Sequence, residues 1–278
     1  MMYEPEPRID TQLTAEELND LYKAKMILEN PGFAMKVAGY IGKPIEFAID
    51  KIDSETLNQA TSKALGKALD IAIGSLNEEN GTPPSNLKHK VLAGGSGAVG
   101  GFFGLSALVI ELPVSTTIML RSIADVAQSQ QHDLKDMETR LACLEVFSLG
   151  STKSSDDDAG ESAYFAARAT LAFEMRAALQ SVSHMSSQAI QDALAKGQMP
   201  ILIKFINTIA SRFGIVVSEK MAAQTIPLVG AAGGAALNLM FIDHFQDMAE
   251  GHFTVKRLEK KYGSGKIESL YKSLVLQG

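Results

Sequence analysis

Apolar residues recur along this chain at spacings of three and four, with no convincing stretch of the strict alternation that marks a strand. Thr14-Ala-Glu-Glu17 is a capping-box pattern, and the helix it opens is expected to end near Asn30, before Pro31. Phe33, Val37, Ile41 and Ile45 lie four apart on one face of a second segment, with a break or fresh start at Pro44. After Asp53 and Ser54, a third segment carries Ala60, Ala64, Leu65, Ala68, Ile71 and Ala72, a narrow stripe of small residues suited to close helix packing. The polar stretch 77–90, NEENGTPPSNLKHK, reads as a linker because Gly81, Pro83 and Pro84 fall together. Residues 150–162, with the run Asp156-Asp157-Asp158, read as a loop between further helical blocks. The expected fold class is all-α, a multi-helix bundle.

Two segments break the amphipathic pattern. Val91 to Leu120 carries one charge, Glu111, and Met221 to Ile242 carries none, so each is long enough to raise a transmembrane flag. Gly97 and Gly101, Gly100 and Gly104, and Gly230 and Gly234 are four apart, leaving grooves where a second backbone can approach. GAVGGFFGLSALVIE (97–111) also lies over GAAGGAALNLMFIDH (230–244), placing Glu111 against His244. Two Gly-rich central helices related by a pseudo-repeat are one reading, and chance similarity of low-complexity apolar sequence is the other. Neither run is a clean span. Gln224, Thr225, Pro227 and Asn238 interrupt the second, and Glu111-Leu112-Pro113 cuts the first, with a new helix expected to start at Pro113.

The blocks GGFFGLSALVIELPVSTTIMLRSIADVA, DLKDMETRLACLEVFSLG and IPLVGAAGGAALNLMFIDHFQDMAEGHFTVKRLEKKYG, with NPGFAMKVAGYIGKPIEFAIDKI near the start, resemble the bacterial EcsC protein family. IPLVGAAGGAALN is also similar to an IPxxGxxxGxxxN hairpin of membrane-associated helical proteins. The EcsC resemblance implies a helical domain over 31–263, flanked by an N-terminal helical arm at 1–30 and a basic C-terminal helix at 264–278. It implies a neighbourhood with membrane export rather than a defined reaction.

Charge and cysteine content narrow the setting. The 278 residues carry a formal net charge of -6, and the pI near 5.5 argues against nucleic acid as the main partner. The single cysteine and the absence of signal-peptide tiers at the start suit a cytoplasmic address. A mean hydropathy of +0.04 is low for a polytopic membrane protein. Locally the balance reverses. Lys256, Arg257, Lys260, Lys261, Lys266 and Lys272 face only Glu259 and Glu268, a balance of +4 that suits either a solvated helical face or an anionic lipid surface.

Polar residues within the apolar blocks are the remaining chemistry. Glu111 is placed to meet a helix dipole. Arg121 and Asp125 are four apart and can pair, and with Glu138, Arg140 and Glu145 they suggest either a charged structural network or a site with perturbed pKa values. Asn238, Asp243, His244, Asp247 and His252 cluster later. The Glu-x-x-His pair of a di-iron bundle and the HEXXH motif are both absent, so Glu111 with His244 or His252 is the only metal candidate, and no metal is expected. There is no G-x-S-x-G elbow, Cys143 is expected to be buried and inert, and GGSGAVGG lacks a P-loop ending. No cofactor is called for. Two functional readings remain. The first is a non-catalytic, peripheral or amphitropic protein on the inner face of the cell membrane, whose partner is an anionic surface or a membrane protein such as a transporter. The second is a soluble helical enzyme, for example a hydrolase, with its site among Glu111, Arg121, Asp125, His244 and His252.

Overall fold

A computed structural model describes residues 13–29, 33–41, 53–74, 104–150, 162–224 and 230–276. Within them the chain forms ten α-helices and one 3-10 turn, with no strand, so the architecture is all-α. The helices are α1 (Ala15–Leu28), α2 (Phe33–Ile41), α3 (Ser54–Gly74), α4 (Gly104–Ser129), α5 (Met137–Glu145), α6 (Ala163–Val182), α7 (Ser187–Ala195), α8 (Pro200–Gln224), α9 (Gly230–Tyr262) and α10 (Ser264–Ser273). The 3-10 turn, Val146–Ser148, continues α5.

Local chemistry sets several ends. Thr14 and Glu17 close the expected capping box of α1, which ends at Leu28 with Glu29 as its C-cap. Ser162 and Ser186 cap α6 and α7 by accepting backbone N–H groups. α4 stops in a Schellman pattern: the His132 N–H reaches the Ala127 carbonyl at 3.0 Å and the Gln131 N–H reaches Gln128 at 2.9 Å, with Gln131 at φ 65.

One expectation is corrected at Pro113. It does not open a helix but lies inside α4. Proline removes the hydrogen bond to the carbonyl four residues earlier, a cost of about 3 kcal/mol. Burial along the same helix offsets that cost, since Leu112, Met119, Leu120 and Ile123 are all at or below 1% exposure. The Thr117 hydroxyl also donates to the Pro113 carbonyl at 2.8 Å. The run Met221 to Ile242 likewise is not one element, being divided between the end of α8 and the start of α9. The linker 77–90, most of the loop 150–162 and the glycines from Gly94 to Gly101 lie outside the described residues, as does Ile45. α4 packs on α9, the helix that begins with the second glycine block at Gly230.

The centre of the bundle is α5 and its 3-10 turn. Every residue from Thr139 to Leu149 is buried, and α3, α4, α6, α8 and α9 all pack around this segment. In the alanine stripe of α3, a helix that packs on α4 and α8, Ala60, Ala64, Leu65, Ala68 and Ala72 are buried, while Ile71 is half-buried at its edge. Phe33 of α2 joins Phe241 of α9 at 5.4 Å between ring centroids, and Phe147, Phe213 and Phe245 extend this aromatic cluster at 5.1 to 5.6 Å. Edge-to-face pairs of this kind add about 1 kcal/mol each beyond area burial. α1 and α10 lie against α9. Gly251 makes the α1 contact close, since a Cβ there would meet the Leu28 side chain at 2.7 Å.

Arg140 explains how a charge is tolerated at this centre. Its guanidinium donates to the carbonyls of Leu134 at 2.6 Å, Ile73 at 2.8 Å and Lys135 at 3.2 Å. Ile73 is in the last turn of α3, so a cation completes a carbonyl that the helix leaves unpaired and meets the negative end of the dipole. Replacing Arg140 with Met should lower the unfolding free energy by about 3 kcal/mol, because two buried carbonyls lose their donors. Lys should recover less than half of that, having no planar fork. Urea unfolding measures both, and a loss below about 0.5 kcal/mol for Arg140→Met would show that the carbonyls are satisfied otherwise.

Candidate functional site

The polar residues picked out in the sequence do not form one network. Arg121 is half-buried on α4 and Asp125, one turn on, is exposed. Partial desolvation raises the Asp125 carboxyl from its ordinary value while Arg121 works to lower it. Glu138 is exposed and pairs with Lys256 at 3.2 Å, whereas Arg140 serves backbone carbonyls and Glu145 turns into the core. Asp243 is exposed and Asp247 pairs with Lys36 at 3.2 Å. Asn238 is half-buried, its Oδ1 without a hydrogen bond among the described residues. The backbone of Glu111 is helical within α4, but its side chain lies outside the described residues, and so does the expected approach of Glu111 to His244.

His244 and His252 lie two turns apart on α9 and have separate surroundings. His244 is 2% exposed, stacked among Phe33 at 5.7 Å and Phe245 at 5.3 Å. Gly150, at φ 80, presses its backbone against the ring, and a Cβ there would collide with Nε2. Among the described residues neither ring nitrogen makes a hydrogen bond of ordinary geometry. Burial, reinforced by Lys36, holds this imidazole at about 3, with the Gly150 backbone working the other way. His244 is therefore a neutral packing residue at neutral pH.

His252 is fully buried and anchors a polar cluster that joins three helices. Its Nδ1 is 3.0 Å from the Tyr164 hydroxyl of α6, and its Nε2 is 3.6 Å from Glu145 Oε2 of α5. Beside them Arg168 makes a two-pronged pair with Glu259 at 2.8 and 2.9 Å and covers the Tyr164 ring at 5.3 Å. Burial raises the Glu145 carboxyl, against the opposing charges of Arg168 and Lys256, and burial also holds His252 well below its ordinary value. Burial opposes the Arg168 charge too, but Tyr164, Glu259 and Glu145 outweigh it and keep the guanidinium charged. The Glu145 to His252 contact is thus a meeting of two groups pushed toward neutrality, and the one firm ion pair is Arg168 with Glu259. Chemically the row is broken between Glu145 and His252, whose 3.6 Å separation is too long for a hydrogen bond, so only His252 and Tyr164 share a proton directly. Mechanically it ties α5 and α6 to α9.

Tyr164 and Arg168 are not singled out in the sequence, and Glu259 enters there only as a counter-charge in the basic run. Their spacing did carry a signal: Tyr164 and Arg168 are four apart on α6, and His252 and Glu259 are seven apart on α9, so each pair shares a helical face. Cys143 is fully buried as expected, and burial pushes its thiol up, away from the reactive thiolate. Among the described residues no three of His, Cys, Asp and Glu gather closely enough to hold a metal ion.

The basic run divides at Gly263, whose φ of 91 separates α9 from α10. Most of its cations already have partners. Arg257 pairs with Asp20 at 2.7 Å, Lys261 with Glu17 at 2.7 Å and Lys272 with Glu268 at 2.8 Å, in addition to Lys256 with Glu138. Lys260 is exposed, and Lys266 lies over the Tyr262 ring at 5.3 Å. Neither forms an ion pair among the described residues. Leu18 (40%), Met26 (45%) and Val275 (80%) are exposed apolar side chains on α1 or just after α10.

Among the described residues these features define an all-α bundle in which Arg140 and Arg168 are hydrogen-bonded or paired, Glu145 and His252 are pushed toward neutrality, and the terminal helices expose both cations and apolar side chains. The EcsC protein family model matches residues 33–258, and the chain belongs to that family. No curated protein and no solved structure matches it.

The charge state of His244 has a measurable consequence. The folded group is depressed to about 3 while an unfolded histidine titrates near 6.5, so the unfolded state binds the extra proton between these values and stability is lost as pH falls. Wild-type unfolding free energy should drop by about 1.4 kcal/mol per pH unit below about pH 6 on account of this residue. Urea titrations of His244→Leu between about pH 6 and 4 should show a slope shallower by that amount. An unchanged slope would mean that the folded imidazole is protonated with a partner.

Proposed function

We propose that this protein is a non-catalytic, amphitropic helical protein that rests on an anionic membrane surface from the cytoplasmic side and supports or regulates membrane transport or envelope processes. The observation that carries this reading is the cationic end of α9 and α10, where exposed Lys260 and Lys266 form no ion pair among the described residues, together with the exposed Leu18 and Met26 of α1, the helix that packs on α9. Cations draw such a surface to anionic headgroups, and exposed apolar side chains enter the headgroup boundary. A supporting feature is α8. Residues Pro200–Ala223 are long and apolar enough to cross a bilayer, with mean hydropathy 1.5, yet 56% of that window is buried. A helix packed in this way against α3 and α6 suits a protein that lies on a membrane better than one that spans it. The enzyme reading places a site among Glu111, Arg121, Asp125, His244 and His252; Arg121 acts on Asp125, His244 and His252 each have other neighbours, and the Glu111 side chain lies outside the described residues.

Sedimentation with vesicles tests the proposal. At low salt the protein should pellet with vesicles containing about one-third phosphatidylglycerol, stay in solution with phosphatidylcholine alone, and dissociate as salt rises. Lys260→Glu combined with Lys266→Glu should reduce the bound fraction about tenfold or more without changing thermal stability. A protein indifferent to anionic vesicles at low salt would end the membrane reading.

A further inference from the structure

α1 is fastened to the end of the bundle by polar contacts that fall on the cations just described. The Glu17 carboxylate accepts from Lys261 Nζ at 2.7 Å and from the Tyr262 hydroxyl at 2.6 Å, and Lys261 with Tyr262 holds it ionised, at about 2. Asp20 accepts from Arg257 at 2.7 Å. Lys25 donates to the carbonyls of Tyr271 at 2.8 Å and Leu274 at 2.7 Å, closing the C-terminus of α10. Glu29 accepts from the hydroxyls of Ser162 and Tyr271. Beneath these contacts Leu21, Ala24 and Leu28 are buried, with Leu28 seated at Gly251. α1 and α10, together with Lys261, lie outside the span 33–258 matched to the family, while Arg257 and Gly251 lie inside it.

We infer that α1 is an internal anionic latch: Glu17 and Asp20 occupy Lys261 and Arg257 in the place that the phosphates of an anionic lipid surface would take, and α1 must leave α9 for those cations to meet lipid. This rests on the membrane reading above and names its regulation. In water the latch stays shut, because release would bare Leu21, Ala24 and Leu28 with no cover. Against a bilayer the same residues, with the already exposed Leu18 and Met26, gain an apolar environment, and lipid phosphates replace the two carboxylates. Exchange of one set of partners for an equivalent set makes the transition reversible.

The experiment uses the full chain with vesicles of about one-third phosphatidylglycerol in phosphatidylcholine. Glu17→Gln combined with Asp20→Asn frees two cations and should strengthen binding by about fivefold per cation. Added net charge alone would act in the same direction, so Lys25→Gln is the sharper variant. It removes a positive charge and loosens α1 from α10 while leaving Arg257 and Lys261 intact. The latch requires it to bind anionic vesicles about twofold or more tighter than wild type, whereas charge arithmetic requires it to bind less tightly. Amide hydrogen exchange over residues 18–28 gives an independent readout, and those amides should lose protection when wild-type protein meets anionic but not zwitterionic vesicles. If wild type binds anionic vesicles while Lys25→Gln binds less tightly and α1 keeps its protection, the latch is overturned and the membrane reading stands. If no variant binds, both fall.

Discussion

Everything in this bundle depends on enclosing one helix and its 3-10 turn, Thr139 to Leu149, on all sides. A segment buried around its whole circumference has no polar face, yet this one carries Arg140 and Glu145. Ionised groups in such a place are tolerated only when hydrogen-bonded or paired, and otherwise shift toward neutrality. Arg140 takes the first course by donating to backbone carbonyls of α3 and the preceding loop. Glu145 takes the second, facing a neutral His252. The surrounding helices are positioned by these two solutions as well as by apolar contact. Through Arg140 the end of α3 is fixed, and through His252 and Tyr164 so are α9 and α6.

The surface is organised by a different electrostatic logic. Exposed ion pairs contribute little to stability, about 0 to 1 kcal/mol each, so the pairs of Glu17, Asp20 and Glu138 with α9 matter less as cement than as occupants. They decide which cations remain open to solvent. A local charge of +4 in the sequence thereby becomes a face on which Lys260 and Lys266 stand clear of carboxylates while Arg257 and Lys261 hold carboxylates of α1.

How much of this was legible in the sequence varied with the range of the interaction. The capping box of α1 and the alanine stripe of α3 are read correctly because their causes lie within one helical turn or one face. Pro113 misleads for the opposite reason. Its local preference for a helix start is overridden by burial of residues up to ten positions further on. The polar candidates were recognisable as residue types, but their roles depend on partners far away in sequence: Arg140 on Ile73, His252 on Tyr164, Arg257 on Asp20. Arg121 acts on Asp125 as their spacing suggests, but Glu138, Arg140 and Glu145 each have other partners, so the charged network drawn through all five separates into independent contacts.

Lys25 is joined to the carbonyl of Leu274 across 249 positions of sequence. During synthesis α1 emerges before any of α9 or α10 exists, so its carboxylates and its apolar residues wait for nearly the whole chain to be made. Loop closure of that length is slow to gain its compensating contacts. The first described helix to be made is therefore among the last to reach its native place, and in the nascent chain it is an unattached amphipathic segment open to whatever surface lies near the ribosome.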